Sequence, residues 1–324
     1  MIDFRYHVVS IVAVFIALAV GIVLGAGPLK EDIGSTLTAQ VTQLRADKSA
    51  LRDQLKESQD GVSSRDTYAG LVAPAVIAGQ LPDREVALVV LPDADAGLVK
   101  RTTHSLSEAG AKVVGTISVS DKWTDPDEAT ARTQAVTPLA QLVGVEPSVT
   151  SAGELPSLVL SRAIFGAPEG AKGGSVGRDT SNGRSRVLQG LDKAGLISLQ
   201  PGTGEAATSV VVVAGPLAED ETLRNTEAES YLKLLATFGG GDRPALLVSG
   251  HEPGQSVAVA SPLVTTVRAD PKLTSVVSTV DDGNLSMGQG TLVLALHGEY
   301  DDANGHYGLA GDASAVAPEI PANQ

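Results

Sequence analysis

Apolar and polar positions divide the chain into three regimes. Residues 8–27, VVSIVAVFIALAVGIVLGAG, form an unbroken apolar run with no charge and Ser10 as the one polar member. About 20 apolar residues rising ~1.5 Å each cross a ~30 Å hydrocarbon core. A cleaved export signal has a shorter apolar region, about 7–15 residues, followed by a small-residue cleavage site. Here the small-residue exit LGAG runs straight into Pro28, a poor residue for cleavage. A core helix is seldom apolar all round. The pattern predicts a retained signal anchor within residues 1–28. Arg5 precedes the run, and Lys30 and Arg45 follow it. Charge counting therefore leaves orientation close to a tie, with the amino terminus inside as the starting guess. Within the run Ala13, Ala17, Gly21 and Gly25 recur every four residues. Small residues at that spacing let two membrane helices approach closely; the other reading is that Ala and Gly are simply common in this chain.

The second regime is polar. Pro28 should end or kink the first helix. Residues 29–60 then carry a thin apolar seam through Val41, Leu44, Lys48, Leu51 and Leu55, with Ile33 and Leu37 ahead of it. Alternating steps of three and four are heptad spacing, with Lys48 as a polar core position that weakens a coil while fixing its register. The spacing predicts a short coiled coil; a lone amphipathic helix lying on the globular body is the alternative. A helix of about 30 residues would reach ~45 Å from the membrane.

Residues 61–310 change to Ala, Val, Leu and Gly with regular punctuation. EVALVVL (85–91), a helical stretch at 96–109, and AKVVGTISVS form a strand–helix–strand unit with buried parallel strands. The pattern returns in TSVVVVAG (208–215), helical ESYLKLLATF, RPALLVSG, SVVSTV and helical MGQGTLVLALHG. Strands alternating with helices predict a doubly wound, mainly parallel α/β body. Residues 125–165 read as mostly helical. Residues 166–186 are Gly/Ser-rich and predict a mobile loop; residues 311–324 lack periodicity and predict a disordered tail.

Composition narrows the chemistry. The 324 residues carry 24 Lys+Arg against 38 Asp+Glu, a net charge of -14, with no basic stripe, so a nucleic-acid partner is not expected. There is no cysteine, which removes disulfides, thiolate metal sites and Cys nucleophiles without fixing the compartment. Gly202-Thr-Gly204-Glu-Ala-Ala207 matches a dinucleotide fingerprint but precedes a strand, the reverse of what phosphate binding needs. Gly173-Gly-Ser175-Val-Gly177 has nucleophile-elbow spelling without the flanking strand and helix. Asp93-Ala-Asp95-Ala-Gly97 lacks the remaining ligands of a calcium loop, and Asp95 reads better as a helix cap. Asp281, Asp282, Asp301 and Asp302 read as solvated loop carboxylates. Among five histidines no pair stands at i,i+4. His297 and His306, around the acidic 299–302 loop, are weak metal candidates, and the only methionines are Met1 and Met287, a poor supply for copper(I). No catalytic residue and no bound cofactor are expected.

The segment MIDFRYHVVSIVAVFIALAVGIVLGAGPL, with EVALVVLPDAD, AGAKVVGTISVS, STVDDGN, MGQGTLVLAL and GHYG, resembles the actinobacterial MctB/SteB-like family across nearly the whole chain. The resemblance implies two different roles. Mycobacterial relatives carry the description copper transport protein; corynebacterial relatives look like cell-separation proteins that work with a membrane partner, SteA, to control a peptidoglycan hydrolase. Both imply a body outside the cytoplasmic membrane. A membrane β-barrel needs alternating strands of about 10 residues and aromatic girdles. Ten aromatics in all and short apolar strands separated by helices do not provide them. A single span without a polar face does not line a pore. The expectation is a non-enzymatic, single-span envelope protein that binds a protein partner, with homodimerisation through the span and coil. A copper-handling role, through export or homeostasis, is the alternative, and an α/β enzyme the third reading.

Overall fold

The computed structural model describes residues 4–26, 29–166, 180–241, 243–251 and 256–319. It falls into two compact units, Met1–Arg65 and Asp66–Gln324. In the first, α1 (Phe4–Ala26) contains a 22-residue stretch of mean hydropathy 2.9, long and apolar enough to cross a membrane. The helix α2 (Leu29–Ile77) follows, and its residues up to Arg65 complete this unit. Ala13, Ala17, Gly21 and Gly25 are exposed on α1; Val41, Leu44, Lys48, Leu51 and Leu55 are exposed on α2. The helix runs past the expected boundary at residue 60. Its last turn holds Pro74 and delivers Ile77 into the body's core, 1 % exposed, and that burial favours continuing the helix.

The second unit is built on one sheet. Its elements in chain order are β1 (Glu85–Val90), α3 (Ala96–Glu108), β2 (Lys112–Val119), α4 (Ala129–Ala140), α5 (Leu155–Phe165), α6 (Thr180–Lys193), β3 (Ile197–Leu199), β4 (Ser209–Val213), α7 (Glu221–Gly239), β5 (Ala245–Val248), α8 (Pro262–Ala269), β6 (Ser278–Val280), α9 (Ser286–Glu299) and β7 (His306–Tyr307). The strand order is β3-β2-β1-β4-β5-β6-β7. All pairings are parallel except β2 with β3. This is the doubly wound, mainly parallel sheet that the alternation of strands and helices predicts.

Alternate side chains of the central strands feed two cores. Ala87, Val89, Val210, Val212 and Leu247 pack on the face that carries α4, α5, α6, α7 and α8. Val86, Leu88, Val211, Val213, Leu246 and Val248 pack on the face covered by α3, α9 and the end of α2. Because both faces are covered, β4 reads as five consecutive buried residues with no polar alternation. Two helix starts follow from local chemistry. Asp95 accepts from the Leu98 amide at 2.7 Å to cap α3, as the sequence suggests. Asp220 does the same for α7 through the Thr222 and Leu223 amides.

Two expected disordered segments differ. The loop expected over 166–186 gives way to helix at Thr180. There Arg184 is buried and donates to the carbonyls of Ala163 at 3.1 Å and Gly204 at 2.8 Å, tying α6 to its neighbours. Residues 167–179, with the Gly173–Gly177 motif, lie outside the described residues. The tail expected over 311–324 is held as far as Ala315: Asp312 pairs with Arg268 at 2.6 Å, and Ala315 bridges Tyr307. The short strands β3 and β7, too brief to leave a periodic signal, extend the sheet at its two sides.

One close approach is demanding. After β1 and β4 the chain turns away in different directions, and a Cβ on Gly215 would overlap the Pro92 carbonyl oxygen and the Ala94 amide. Backbone, not a flexible side chain, blocks that space. Gly215→Ala should therefore lower stability by about 2 kcal/mol or more, read from denaturant unfolding of the full chain in detergent micelles. Unchanged stability would mean that the two turns separate freely.

Candidate functional site

The chain leaves β1 toward β2 and returns to place β4 on β1's other side, so the connections diverge between these two strands. In open α/β sheets the crevice outside the carboxyl ends of the strands at such a switch point is where ligands bind. Here it holds a cavity of about 550 Å³. Asp93 and Asp95 follow β1, Ala214 to Pro216 follow β4, Ser249 to His251 follow β5, and Ser261 and Pro262 begin α8.

The exits of β5 and β6 are laced together. Ser249 N donates to the Val280 carbonyl at 2.9 Å, Gly283 N to the Ser249 carbonyl at 2.9 Å, and His251 N to Asn284 Oδ1 at 3.1 Å. Backbone demands are thus met, but several side chains are left over. Among the described residues Ser249 Oγ, Ser261 Oγ and both ring nitrogens of His251 are buried without a hydrogen-bond partner. The His251 side chain is only 5 % exposed, with Nε2 at 3.9 Å from Asp281 Oδ1, too far for a hydrogen bond.

Behind the cleft stands a buried charge cluster. Asp281 and Asp282 are fully buried, which corrects the reading of this pair as solvated loop carboxylates. Burial of Asp281 is made tolerable by Arg268 of α8, whose Nη1 lies 2.9 Å from Asp281 Oδ2. The amides of Leu309 and Ala310 also donate to Asp281. Gly308, at φ +135°, lies where a Cβ would strike the Asp281 carboxylate. Arg268 further donates to Thr279 Oγ1 at 2.9 Å and to the Tyr307 carbonyl at 2.8 Å. Asp282 is held less well: among the described residues neither carboxylate oxygen has a hydrogen-bond partner, and burial, then the charge of Asp281, push its pKa up to about 7. Asp301 and Asp302, by contrast, are exposed in a turn.

The residues singled out for metal binding are placed apart from this cleft's chemistry. His297, on α9, has Nδ1 2.6 Å from the Gln80 carbonyl oxygen. His306, on β7, has Nδ1 3.0 Å from Thr279 Oγ1, and burial first, then Arg268, lowers its pKa. Glu299 beside them accepts from the Ser278 amide and Asn304, and burial raises its pKa to about 7. Among the described residues no group of three or more His, Cys, Asp or Glu side chains stands close enough to hold a metal ion. With no cysteine and only Met287 inside the chain, the described donor set does not form a ready copper site. Gly202–Ala207 lies in the turn before β4, as its sequence context indicates. Sequence reasoning missed Ser249, His251 and Ser261. Their available signal was position: each stands just past an apolar strand or at a helix start.

The pKa shift gives a pH dependence with a definite sign. An Asp282 raised from 3.8 to about 7 binds more protons folded than unfolded, so its contribution falls as pH rises between those values. Asp282→Asn should raise the melting temperature at pH 8 by about 3 °C or more, and the difference should be smaller at pH 5 and vanish only below the unfolded value of 3.8. Circular dichroism melts of the full chain at both pH values check this. An equal effect at both would mean that Asp282 is held as a carboxylate by a partner.

Comparison with known proteins gives the chain its relations. A family model described as "Copper transport outer membrane protein, MctB" matches residues 1–318. The chain is 29 % identical over 326 residues to "Copper transporter MctB" of Mycobacterium tuberculosis strain H37Rv, covering 98 % of this chain and 99 % of that one. It is 27 % identical over 328 residues, with the same coverage, to the protein of that name from Mycobacterium leprae. Matched through both units, the apolar helix and the α/β body, the chain belongs to the MctB family.

Proposed function

We propose that this protein is a non-enzymatic cell-envelope component that takes part in copper transport or copper homeostasis, held at the cytoplasmic membrane by α1 with its body outside. The observation that carries the reading is the end-to-end match to relatives named copper transporters, which includes the apolar amino-terminal helix. The physical form of the chain shapes the role. An open sheet covered by helices on both faces is not a membrane barrel. One apolar helix without a polar face does not line a pore. Copper therefore crosses through other components, and this chain acts on them from outside. The reading predicts that deleting the gene lowers the copper concentration the cells tolerate and raises cell-associated copper. The full chain should restore both, and a chain lacking residues 4–26 should not. Unchanged copper tolerance in the deletion strain would sink the copper reading.

A second reading, a partner-binding scaffold in cell separation, draws on one feature. Leu44, Leu51 and Leu55 are 69 %, 65 % and 58 % exposed on α2, a heptad-spaced seam that water disfavours. A second copy or a membrane partner would cover it. Crosslinking in whole cells should trap a neighbour along this seam, and Leu44→Asp with Leu51→Asp should abolish the trapped species. If the paired variant crosslinks as before, the seam is not an interface.

A further inference from the structure

We propose that the switch-point cleft binds a small, neutral, hydroxyl-rich molecule of mono- or disaccharide size through Ser249, His251 and Ser261. The inference goes beyond the copper reading and does not depend on it.

Three observations converge. The cleft lies at the carboxyl ends of the strands where the order reverses, the position at which open α/β sheets take ligands. Its volume, about 550 Å³, is that of a small-molecule site. Its lining includes unsatisfied polar side chains: Ser249 is 1 % exposed, the His251 side chain 5 %, and neither they nor Ser261 have a hydrogen-bond partner among the described residues. Each such group costs about 1–3 kcal/mol when left unpaired, so three in one cleft favour an occupant that meets them.

The groups themselves select the occupant. A serine hydroxyl both donates and accepts, and the ring nitrogens of an imidazole donate or accept according to the proton each carries. A ligand hydroxyl has the same dual character, so a polyol satisfies all three together. An anion is disfavoured. Asp93 and Asp95 stand on the lining, Asp281 and Asp282 behind it, and Arg101, the cation on the lining, already lies 3.5 Å from Asp95. Arg268 is committed to Asp281 and Asp312. A metal ion finds no group of three ligands among the described residues. A wholly apolar molecule would leave the hydroxyls and imidazole unpaired, yet Leu98, Pro216 and Pro262 supply apolar surface for the carbon face of a sugar ring.

The test uses the full chain in detergent micelles with D-glucose, D-galactose, N-acetylglucosamine and sucrose as probes, and inorganic phosphate and copper(II) as counter-probes. Saturation-transfer NMR detects binding and calorimetry measures it. At least one sugar should bind with Kd below about 1 mM, and Ser249→Ala or His251→Leu should weaken it at least about tenfold. Ser261 makes no side-chain cap bond to α8, so Ser261→Ala leaves the helix start intact and serves as the variant least able to act through misfolding. It should weaken binding in the same direction with an unchanged melting temperature. The proposal is overturned if no sugar transfers saturation at about 10 mM, which would leave water as the occupant. It is equally overturned if sugar binding survives all three substitutions, or if phosphate or copper(II) binds there instead and Ser261→Ala removes that binding. Copper tolerance of the deletion strain is unaffected by any of these outcomes, so the two readings fail separately.

Discussion

The buried pair of Arg268 and Asp281 holds the far half of the body together. Taking two charges out of water is costly, and their attraction offsets that cost only when the remaining hydrogen-bonding capacity is also satisfied. Here it is. The guanidinium reaches Asp281, Asp312, Thr279 Oγ1 and the Tyr307 carbonyl, while the carboxylate takes the Leu309 and Ala310 amides. One contact set thus joins α8, β6, β7 and the chain beyond β7. The strand β7 has only two residues and two register pairs with β6, far too little ladder to stand alone. Its place depends on charge and hydrogen bonds where the rest of the sheet relies on Val and Leu.

That dependence reaches the cleft. Asp281 stands behind His251, and the turn from Asp281 to Asn284 supplies the amide oxygen that receives His251 N. The same turn leads into α9, whose start is met by a residue from α2: Asp66 accepts from Ser286 N at 2.6 Å. Asp282 lies between these anchored neighbours, and a Cβ on Gly288 would overlap its carbonyl oxygen, so the turn is tightly packed against the start of α9. The polar groups left unsatisfied here are therefore not products of slack packing. They are fixed by surroundings that are otherwise well bonded.

Much of the fold is legible because its physics is local and repetitive. Covered on both faces, β1, β4 and β5 must be continuous apolar runs, and EVALVV, SVVVV and ALLV are that. The apolar length of α1 and the capping role of Asp95 are equally direct. What the sequence hides depends on distant partners. Nothing beside Asp281 in the chain announces Arg268, 13 positions earlier, so the pair DD in a turn reads as solvated when it is buried. The first half of the Thr180–Lys193 helix, residues 180–186, looks like the end of a Gly/Ser loop because the contacts that order it come from Ala163 and Gly204. The cleft residues are hidden for a third reason. Ser249, His251 and Ser261 belong to no motif; strand order, which single-chain periodicity does not specify, brings them together.

The sides of the sheet carry a further consequence. An exposed strand edge is a row of unpaired amides and carbonyls, and long, flat edges invite pairing with another chain. This sheet ends in β3, three residues long and antiparallel to its neighbour, and in β7, two residues long and followed by Ala315 bridging Tyr307. Neither edge offers a template of useful length. Among the described residues, lateral growth by strand addition therefore finds little edge strand to extend.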